Sequence, residues 1–501
     1  MVKIAEIVNQ NPWWKQGKEF IQYDRHIKRA QPIFFERKNI MLKRGGVYIL
    51  RGPRQVGKTT YLKDTIKKLI ESGKPANDIL YLSLDFFTSR REMRNALEYF
   101  MNLRIDAKEV YIFLDEITSI EDWNLELKFI ADQGITERGV VVATGSSAVK
   151  LKDRGELLPG RGLEGNEYYI RPLSFREFVL QTIDYICIVD RELPDDGFKE
   201  ALKRLKEILK ESFIDISYSI KNIKNEIQKI IPYKKELGYL FQIYLIIGGF
   251  PLVIDHYIFK RFVEKRAMVD SDIGEIFIRD ILGDLSRLQK QETITVQLLK
   301  AILQSYGSRY SFSRIAKEIE RTHITTIEYL EYLEESFITF ILYAFDFNKK
   351  APKWKGDKKV YFFDPFIFHS VKSYIQGEEI WNIIEKTTED EELQSKLVEG
   401  VIITHLLAHQ EEPFIKRGRT FLWNYYDKSG REIDAVIKGK DGYTGIEVKF
   451  RAQIGEIKTR NIAPLNKFII LSKEDVGEKD NTMIIPVDIF LALLPFSKQN
   501  L

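Results

Sequence analysis

The stretch "GPRQVGKTT" (52–60) sets Gly52, Gly57, Lys58 and Thr59 at the spacing G-x-x-x-x-G-K-[ST]. Each type has a task in a phosphate cradle. The glycines let the backbone through Pro53, Arg54, Gln55 and Val56 turn inward, so that its N–H groups (Pro53 has none) meet phosphate oxygens. Lys58 reaches the β- and γ-phosphates and the Thr59 hydroxyl ligates Mg²⁺. Thr60 continues into "TTYLKDTIKKLIESG", whose helical spacing directs a helix N-terminus at the same anion. Farther on, "VYIFLDEI" (110–117) is an apolar run ending in two carboxylates. A buried parallel strand presents such a pair at the crevice where these sheets bind ligands. Asp115 is then expected in the Mg²⁺ shell, and Glu116 is expected to orient or deprotonate the attacking water. In "VVVATGSSA" (140–148), Thr144, Ser146 or Ser147 can hydrogen-bond a γ-phosphate or that water.

A second set lies near the C-terminus. In "REIDAVIKGKDGYTGIEVKF" (431–450) two alternating runs flank a hairpin turn. Glu447 and Lys449 share one face of a strand, with Ile446, Val448 and Phe450 on the other. Asp434 alternates with Ile433 and Ala435 and can join the polar face. Glu399 sits on the apolar helix "EELQSKLVEGVIITHLLAHQ" (391–410) beside Ile402 and Ile403, where a carboxylate needs a partner, a metal or a function. By itself a Glu-x-Lys strand is more often a surface ion pair. His405 and His409 stand one helical turn apart, but Leu406 fills the slot where a zinc hydrolase places its general base, so no metal is expected there.

These residues need elements to hold them. "VYILRG", "ILYLSLD" (79–85), "VYIFLDEI", "VVVATGSSA" and "EYYIRPL" (167–173) read as five strands separated by helical or loop segments, a doubly wound α/β sheet. From about 181 the pattern turns helical, as in "FKEALKRLKEILKESF" (198–213) with Leu202, Leu205, Leu209 and Phe213 on one face. Over 293–345 three short helices lead into the strand "FITFILYAFDF", the order of a winged helix. Its third helix carries Glu328, Glu331, Glu334 and Glu335, which oppose phosphate, and only "RTHITT" (321–326) suits a groove. Groove reader and interdomain adaptor both stay open. In "NKKAPKWKGDKKVYFFD" (348–364) six lysines, Lys349, Lys350, Lys353, Lys355, Lys358 and Lys359, surround Trp354. They form either a flexible wing that meets DNA phosphates while the indole stacks, or a solvated turn.

With 501 residues the chain exceeds one core, and the 77 basic and 73 acidic residues leave a net charge of +4, too small to argue for nucleic acid. The single cysteine, Cys187, excludes an intrachain disulfide and a cysteine-based zinc site, which fits a reducing cytoplasm. No signal peptide is expected. The most apolar stretch (239–254) is too short and too broken by Gly and Pro to span a bilayer, so no membrane partner is expected.

The loop, "LDE", "TGSSA", "RPLSFREF" (171–178) and "NPWW" (11–14) together resemble the AAA+-like archaeal and bacterial ATPases of the ASCE division. The resemblance implies ATP and Mg²⁺ as cofactors, a 5-1-4-3-2 sheet, Glu116 as catalytic carboxylate and the "GSS" hydroxyls, Ser146 among them, as γ-phosphate sensors. It also implies either an arginine finger at Arg161 in "LPGRGLEG" (158–165) or a surface arginine there; a finger acting in trans requires an oligomer. "GGFPLVI" (248–254) resembles the Gly-x-Pro motif of lid helices in signal-transducing ATPases, where the proline couples nucleotide state to the next domain. The tail resembles the restriction-endonuclease-like PD-(D/E)xK fold with its αβββαβ core. That likeness implies Mg²⁺ on Asp434 and Glu447, Lys449 at the hydrolytic water and Glu399 assisting; such domains also keep the fold after losing catalysis.

The expected class is therefore α/β: an N-terminal segment (1–40), a P-loop ATPase core (41–180), a helical lid (181–285), a winged helix (286–345), and a basic wing with a nuclease-like domain (346–501). The expected function is ATP hydrolysis coupled to a DNA-interacting tail. The alternative is a signalling switch whose silent tail binds protein.

Overall fold

The computed structural model describes residues 4–29, 33, 35–37, 40–145, 167–189, 193, 195–287, 290–410, 421–439, 442–451 and 465–496. Ser146, Ser147 and Arg161 lie outside these. The chain divides into two compact units, Met1–Arg171 and Pro172–Leu501.

In the first unit, β1 (Val47–Arg51), β2 (Ile79–Ser83), β3 (Val110–Asp115), β4 (Gly139–Gly145) and β5 (Glu167–Tyr169) form one sheet in the order β2-β3-β4-β1-β5. Every neighbouring pair is parallel. This is the expected 5-1-4-3-2 order. The central strands are near-continuous Val, Ile and Leu runs because helices cover both faces of a parallel sheet. Ile49, Ile112 and Val141 pack with Leu97, Phe100 and Trp123 in a common core. The exposed edge of β2 is closed by the N-terminal segment. The Asn11 side chain accepts from the Tyr81 amide (2.7 Å) and donates to the Tyr81 carbonyl (2.9 Å), as a paired strand residue would. Trp13 and Trp14 both donate to the Ile79 carbonyl, at 3.0 and 2.8 Å. The "NPWW" stretch thus blocks a pairing edge.

The second unit begins with helices Phe175–Val189, Asp196–Glu211, Ile220–Ile230, Lys234–Ile247, Pro251–Ile258 and Ser271–Arg287. Three more, Glu292–Gln304, Phe312–Glu318 and His323–Glu335, lead into β6 (Thr339–Tyr343), β7 (Phe345–Asp346), β8 (Ala351–Pro352) and β9 (Lys358–Phe362). β6 pairs antiparallel with β9, and β7 with β8 at the tip. The helix Glu391–His409, buried from Leu397 onward except for half-buried Glu399, precedes a six-stranded sheet. That sheet comprises β10 (Leu422–Tyr426), β11 (Glu432–Gly439), β12 (Gly442–Lys449), β13 (Leu465–Ser472), β14 (Gly477–Lys479) and β15 (Thr482–Pro486) in the order β10-β11-β12-β13-β15-β14. The first three strands are antiparallel, whereas β12, β13 and β15 run parallel.

Two features of this unit correct the sequence reading. The lysine-rich wing is docked, not free. Phe345 stacks on Trp423 with centroids 4.3 Å apart, Asn424 donates to the Leu342 carbonyl, and Lys353 donates to the Tyr426 carbonyl. Lys358 and Lys359 are buried, because alternation along β9 and its neighbours leaves neither side in water. The basic surface of the hairpin is therefore Lys349, Lys350, Lys353 and Lys355 around an exposed Trp354. Glu334 is fully buried and accepts from the Ile341 amide at 3.1 Å, so it does not repel phosphate at the surface.

The double glycine of "GGFP" is a junction. A Cβ on Gly248 (φ +64°) would fall 1.9 Å from Asp364 Oδ1, and one on Gly249 would fall 2.1 Å from the Leu173 carbonyl. Leu173 N–H donates to Gly249 O (2.7 Å), and Gly249 N–H donates to Asp364 Oδ2 (2.8 Å). Only glycine allows three segments to meet this closely.

Candidate active site

β1 delivers the phosphate loop and the helix Lys58–Glu71 follows it. Gln55 (φ 61°) and Gly57 (φ 91°) take left-handed backbone, which folds the loop tightly before the helix starts. Arg37 braces it by donating to the Val56 carbonyl. The Lys58 ammonium donates to the carbonyls of Gly52 (3.1 Å) and Pro53 (2.9 Å) and lies 3.6 Å from Glu116 Oε1. Loop lysine and paired acid therefore face the same space.

The adjoining β3 ends in buried Asp115. Thr59 Oγ1 donates to Asp115 Oδ2 at 2.7 Å, which joins the helix start to the neighbouring strand end. A hydroxyl and a carboxylate so placed are the hard oxygen donors that suit Mg²⁺, so the residues present fit that ion. Two residues fix the carboxylate. Tyr81 from β2 donates to Oδ2 at 2.8 Å, and Thr144 from β4 donates to Oδ1. Thr144 also accepts the Glu116 amide at 3.0 Å. Of the hydroxyls proposed for the γ-phosphate, Thr144 is thus occupied in holding both acids. Glu116 sits at φ 52°, a strained setting that turns its side chain back toward Lys58. Tyr81 escaped the sequence reading; its signal is being a polar-tipped residue on the strand beside the acids. Burial, with Asp115 facing it, pushes the Tyr81 hydroxyl pKa upward and keeps it a donor.

The second set is assembled around a lysine that the sequence reading assigned to the wing. The Lys359 ammonium contacts Glu399 Oε1 (2.7 Å), Glu432 Oε1 (2.9 Å) and Asp434 Oδ1 (3.0 Å). Tyr361, on the same face of β9, also donates to Glu399. The other Asp434 oxygen accepts the Val448 amide at 2.9 Å. Glu447 pairs with Lys449 at 3.5 Å. Burial, then the facing Asp434, pushes the Glu399 carboxyl up to about 7 against the pull of Lys359. Burial opposes the Lys359 charge, but its three carboxylates outweigh that and raise its pKa. Glu399 and Asp434 do come together, as expected. The expected Mg²⁺ on Asp434 and Glu447 does not fit, because the Lys359 ammonium already stands at Asp434 Oδ1 where the cation would sit, and Glu447 pairs with Lys449. Among the described residues no three acids, histidines or cysteines are grouped to hold a metal. His405 and His409 spend Nδ1 on the carbonyls of Val401 and Pro495.

Comparison with known proteins follows the same division. A family model described as "AAA domain" matches residues 44–179, the span of loop, paired acids and parallel sheet. Residues 44–179 form an AAA-type P-loop ATPase domain. Two further models match later parts of the chain, and both are described as domains of unknown function: DUF8612 over 239–377 and DUF4143 over 394–490. The chain is 26% identical over 315 residues to an uncharacterized protein of Methanocaldococcus jannaschii, MJ1637; the match covers 61% of this chain and 58% of that protein. Among solved structures, Cdc6p from Pyrobaculum aerophilum is 13% identical with a TM-score of 0.26, over 75% of this chain and 97% of that one. A RuvB variant from Thermotoga maritima is 15% identical with a TM-score of 0.24, over 68% and 89%. Likeness at that level carries no argument about activity. Among the described residues, no single helix is long and apolar enough to cross a membrane.

Proposed function

We propose that the first unit binds and hydrolyses ATP with Mg²⁺, and that its nucleotide state governs a second unit that grips DNA. The observation that carries the first half is the chain Thr59–Asp115–Thr144–Glu116, which ties the phosphate loop to the paired acids through hydrogen bonds. Loop amides and Lys58 hold the β- and γ-phosphates. Thr59 and Asp115 hold Mg²⁺, which when bound supplies positive charge against the phosphates. Glu116 orients the water and accepts its proton as the water oxygen attacks the γ-phosphorus and the β–γ bridging oxygen leaves. A Ser146 contact to the γ-phosphate and an Arg161 finger, with the oligomer a trans finger needs, complete this reading.

For the second half, helices Glu292–Gln304, Phe312–Glu318 and His323–Glu335 with the β6–β9 hairpin read as a winged helix. Arg314, Lys317 and Arg321 are exposed on it, and Lys349, Lys350, Lys355 and Trp354 at the hairpin tip. These groups suit phosphates and one stacked base. The tail reads as restriction-endonuclease-like: a buried helix, three antiparallel strands, then parallel β13. The Lys359 cluster supports a tail that binds without cutting. The same observation favours the second reading, a switch with a silent protein-binding tail, and DNA affinity separates the two.

The test is a Mg²⁺-ATP hydrolysis assay on the full chain with and without duplex DNA. Lys58→Ala is expected to abolish turnover, and DNA is expected to bind at low salt. Turnover that survives Lys58→Ala overturns the ATPase reading; absent DNA binding at low salt hands the tail to a protein partner.

A further inference from the structure

The geometry points to Lys359 as a built-in cation that takes the place of a divalent metal in the acid cluster of the C-terminal domain. This rests on the reading of that domain as nuclease-like, since it is that likeness which leads one to expect a metal.

Three carboxylate oxygens, from Glu399, Glu432 and Asp434, lie 2.7, 2.9 and 3.0 Å from one nitrogen. They therefore stand on a common sphere about a point of positive charge, as ligands stand about an ion. Ca²⁺–oxygen bonds are about 2.3–2.6 Å, so with Lys359 in place these oxygens are too widely spaced to hold a metal, and only its removal lets them draw in around one. Without a cation, three carboxylates gathered this closely would repel each other, with Glu432 nearest the solvent edge. The lysine is not a visitor from solvent, because its side chain is 4% exposed. β9 carries it, and that strand is fixed at both ends of its hairpin. Tyr310 exchanges backbone hydrogen bonds with Lys358, and the hairpin tip lies on β10 through Phe345, Trp423 and Asn424. Tyr361, two residues on, reaches Glu399 from the same face. The charge is thus supplied by a strand that precedes the nuclease-like domain in the chain. Delivering it welds that strand to the domain while filling the position a metal needs.

The consequence is a cluster that ignores divalent ions until Lys359 is removed. Isothermal titration of nucleotide-free full chain with Ca²⁺ tests this on four proteins: wild type, Asp434→Asn, Lys359→Met, and the Lys359→Met/Asp434→Asn pair. The phosphate-loop site contributes equally to all four and cancels. Wild type and Asp434→Asn are expected to titrate alike. Lys359→Met is expected to gain one Ca²⁺ site at least about tenfold tighter than anything in wild type, and the added Asp434→Asn to remove it. Because Lys359 lies in Pro172–Leu501, a far-UV circular dichroism spectrum and a cooperative urea transition like those of wild type certify that Lys359→Met is folded. If wild type binds Ca²⁺ in a way that Asp434→Asn abolishes, the inference is overturned, and that comparison needs no Lys359 variant. A folded Lys359→Met chain that gains no site overturns it as well. DNA binding by the wild type is measured in parallel. Gain of the site with no DNA affinity keeps this inference and removes the DNA-gripping reading; DNA affinity with an Asp434-dependent site in wild type does the reverse.

Discussion

Thr144 is the residue on which both acids of the ATPase site depend. Its hydroxyl donates to Asp115 and accepts from the Glu116 amide, so one side chain sets the proposed metal-side carboxylate and the proposed water-side residue together. Thr144→Val keeps the shape and removes both bonds. A hydrogen bond to a charged group is worth about 1.5–3 kcal/mol, so turnover should fall between about 10- and 100-fold. ATP affinity should change little, because the loop amides are untouched. A nucleotide titration beside steady-state turnover reads the split; equal losses in both would show Thr144 serving binding and not alignment. Its position after an apolar run made Thr144 a candidate from sequence, but as a phosphate contact. The chain order does not disclose that β4 lies against β3 in a register that pairs Leu114 with Ala143 and brings Thr144 onto the acids.

At the scale of elements, the helix Glu391–His409 is tied to the start of the helix Phe175–Val189 by one imidazole. His405 Nε2 accepts the Phe175 amide at 3.0 Å, and Nδ1 shares a hydrogen with the Val401 carbonyl at 2.7 Å. The Nε2 bond requires a neutral ring, because a protonated nitrogen cannot accept, and burial pulls the ring pKa down from 6.5 to about 4. The unfolded chain takes up that proton near its ordinary value. Stability from His405 is therefore whole above about pH 6.5 and is lost as the pH falls toward 4, by about 3 kcal/mol. A His405→Gln chain has no ring to titrate. Urea unfolding should show it losing about 3 kcal/mol less than wild type between pH 7 and pH 4. Identical pH slopes would contradict the neutral ring. Nearby, Arg176 explains the "RPLSFREF" run. Its guanidinium is buried and donates to the carbonyls of Leu209, Ser212 and Ala492, binding the end of the helix Asp196–Glu211 to the C-terminal segment.

What the elements themselves look like was legible. The five parallel strands follow from uninterrupted apolar runs, and the β11–β12 hairpin follows from alternation around "KGKDG". The docking of the lysine-rich hairpin was not legible. Six lysines in a turn read as a solvated surface, and nothing local says that Phe345 will stack on Trp423 or that Lys359 will meet Glu399 and Asp434, 40 and 75 residues away. The one available signal was alternation, which puts Lys359 and Tyr361 on one face of β9.

For the whole molecule, the proposed function puts ATP chemistry in Met1–Arg171 and DNA contact on the basic hairpin of Pro172–Leu501, so the two should be removable separately. Replacing Lys349, Lys350 and Lys355 with serine leaves the buried Lys358 and Lys359 in place. Each lost phosphate contact should lower the slope of log affinity against log salt by about 1, and the triple variant by up to about 3. ATP turnover without DNA should stay at the wild-type level. Fluorescence anisotropy across a salt series measures the slope, and an unchanged slope would take this hairpin out of the DNA interface.

The central claim is that Glu116 works on a water at the terminal phosphate of ATP held by the loop ahead of Thr59. Steady-state hydrolysis and equilibrium binding of Mg²⁺-ATP by a Glu116→Gln chain test it most directly. The account predicts that affinity is kept while turnover falls by at least about 100-fold, the usual contribution of a positioned base. A Glu116→Gln chain that hydrolyses ATP at the wild-type rate, or a wild-type chain that binds no Mg²⁺-ATP, would contradict it.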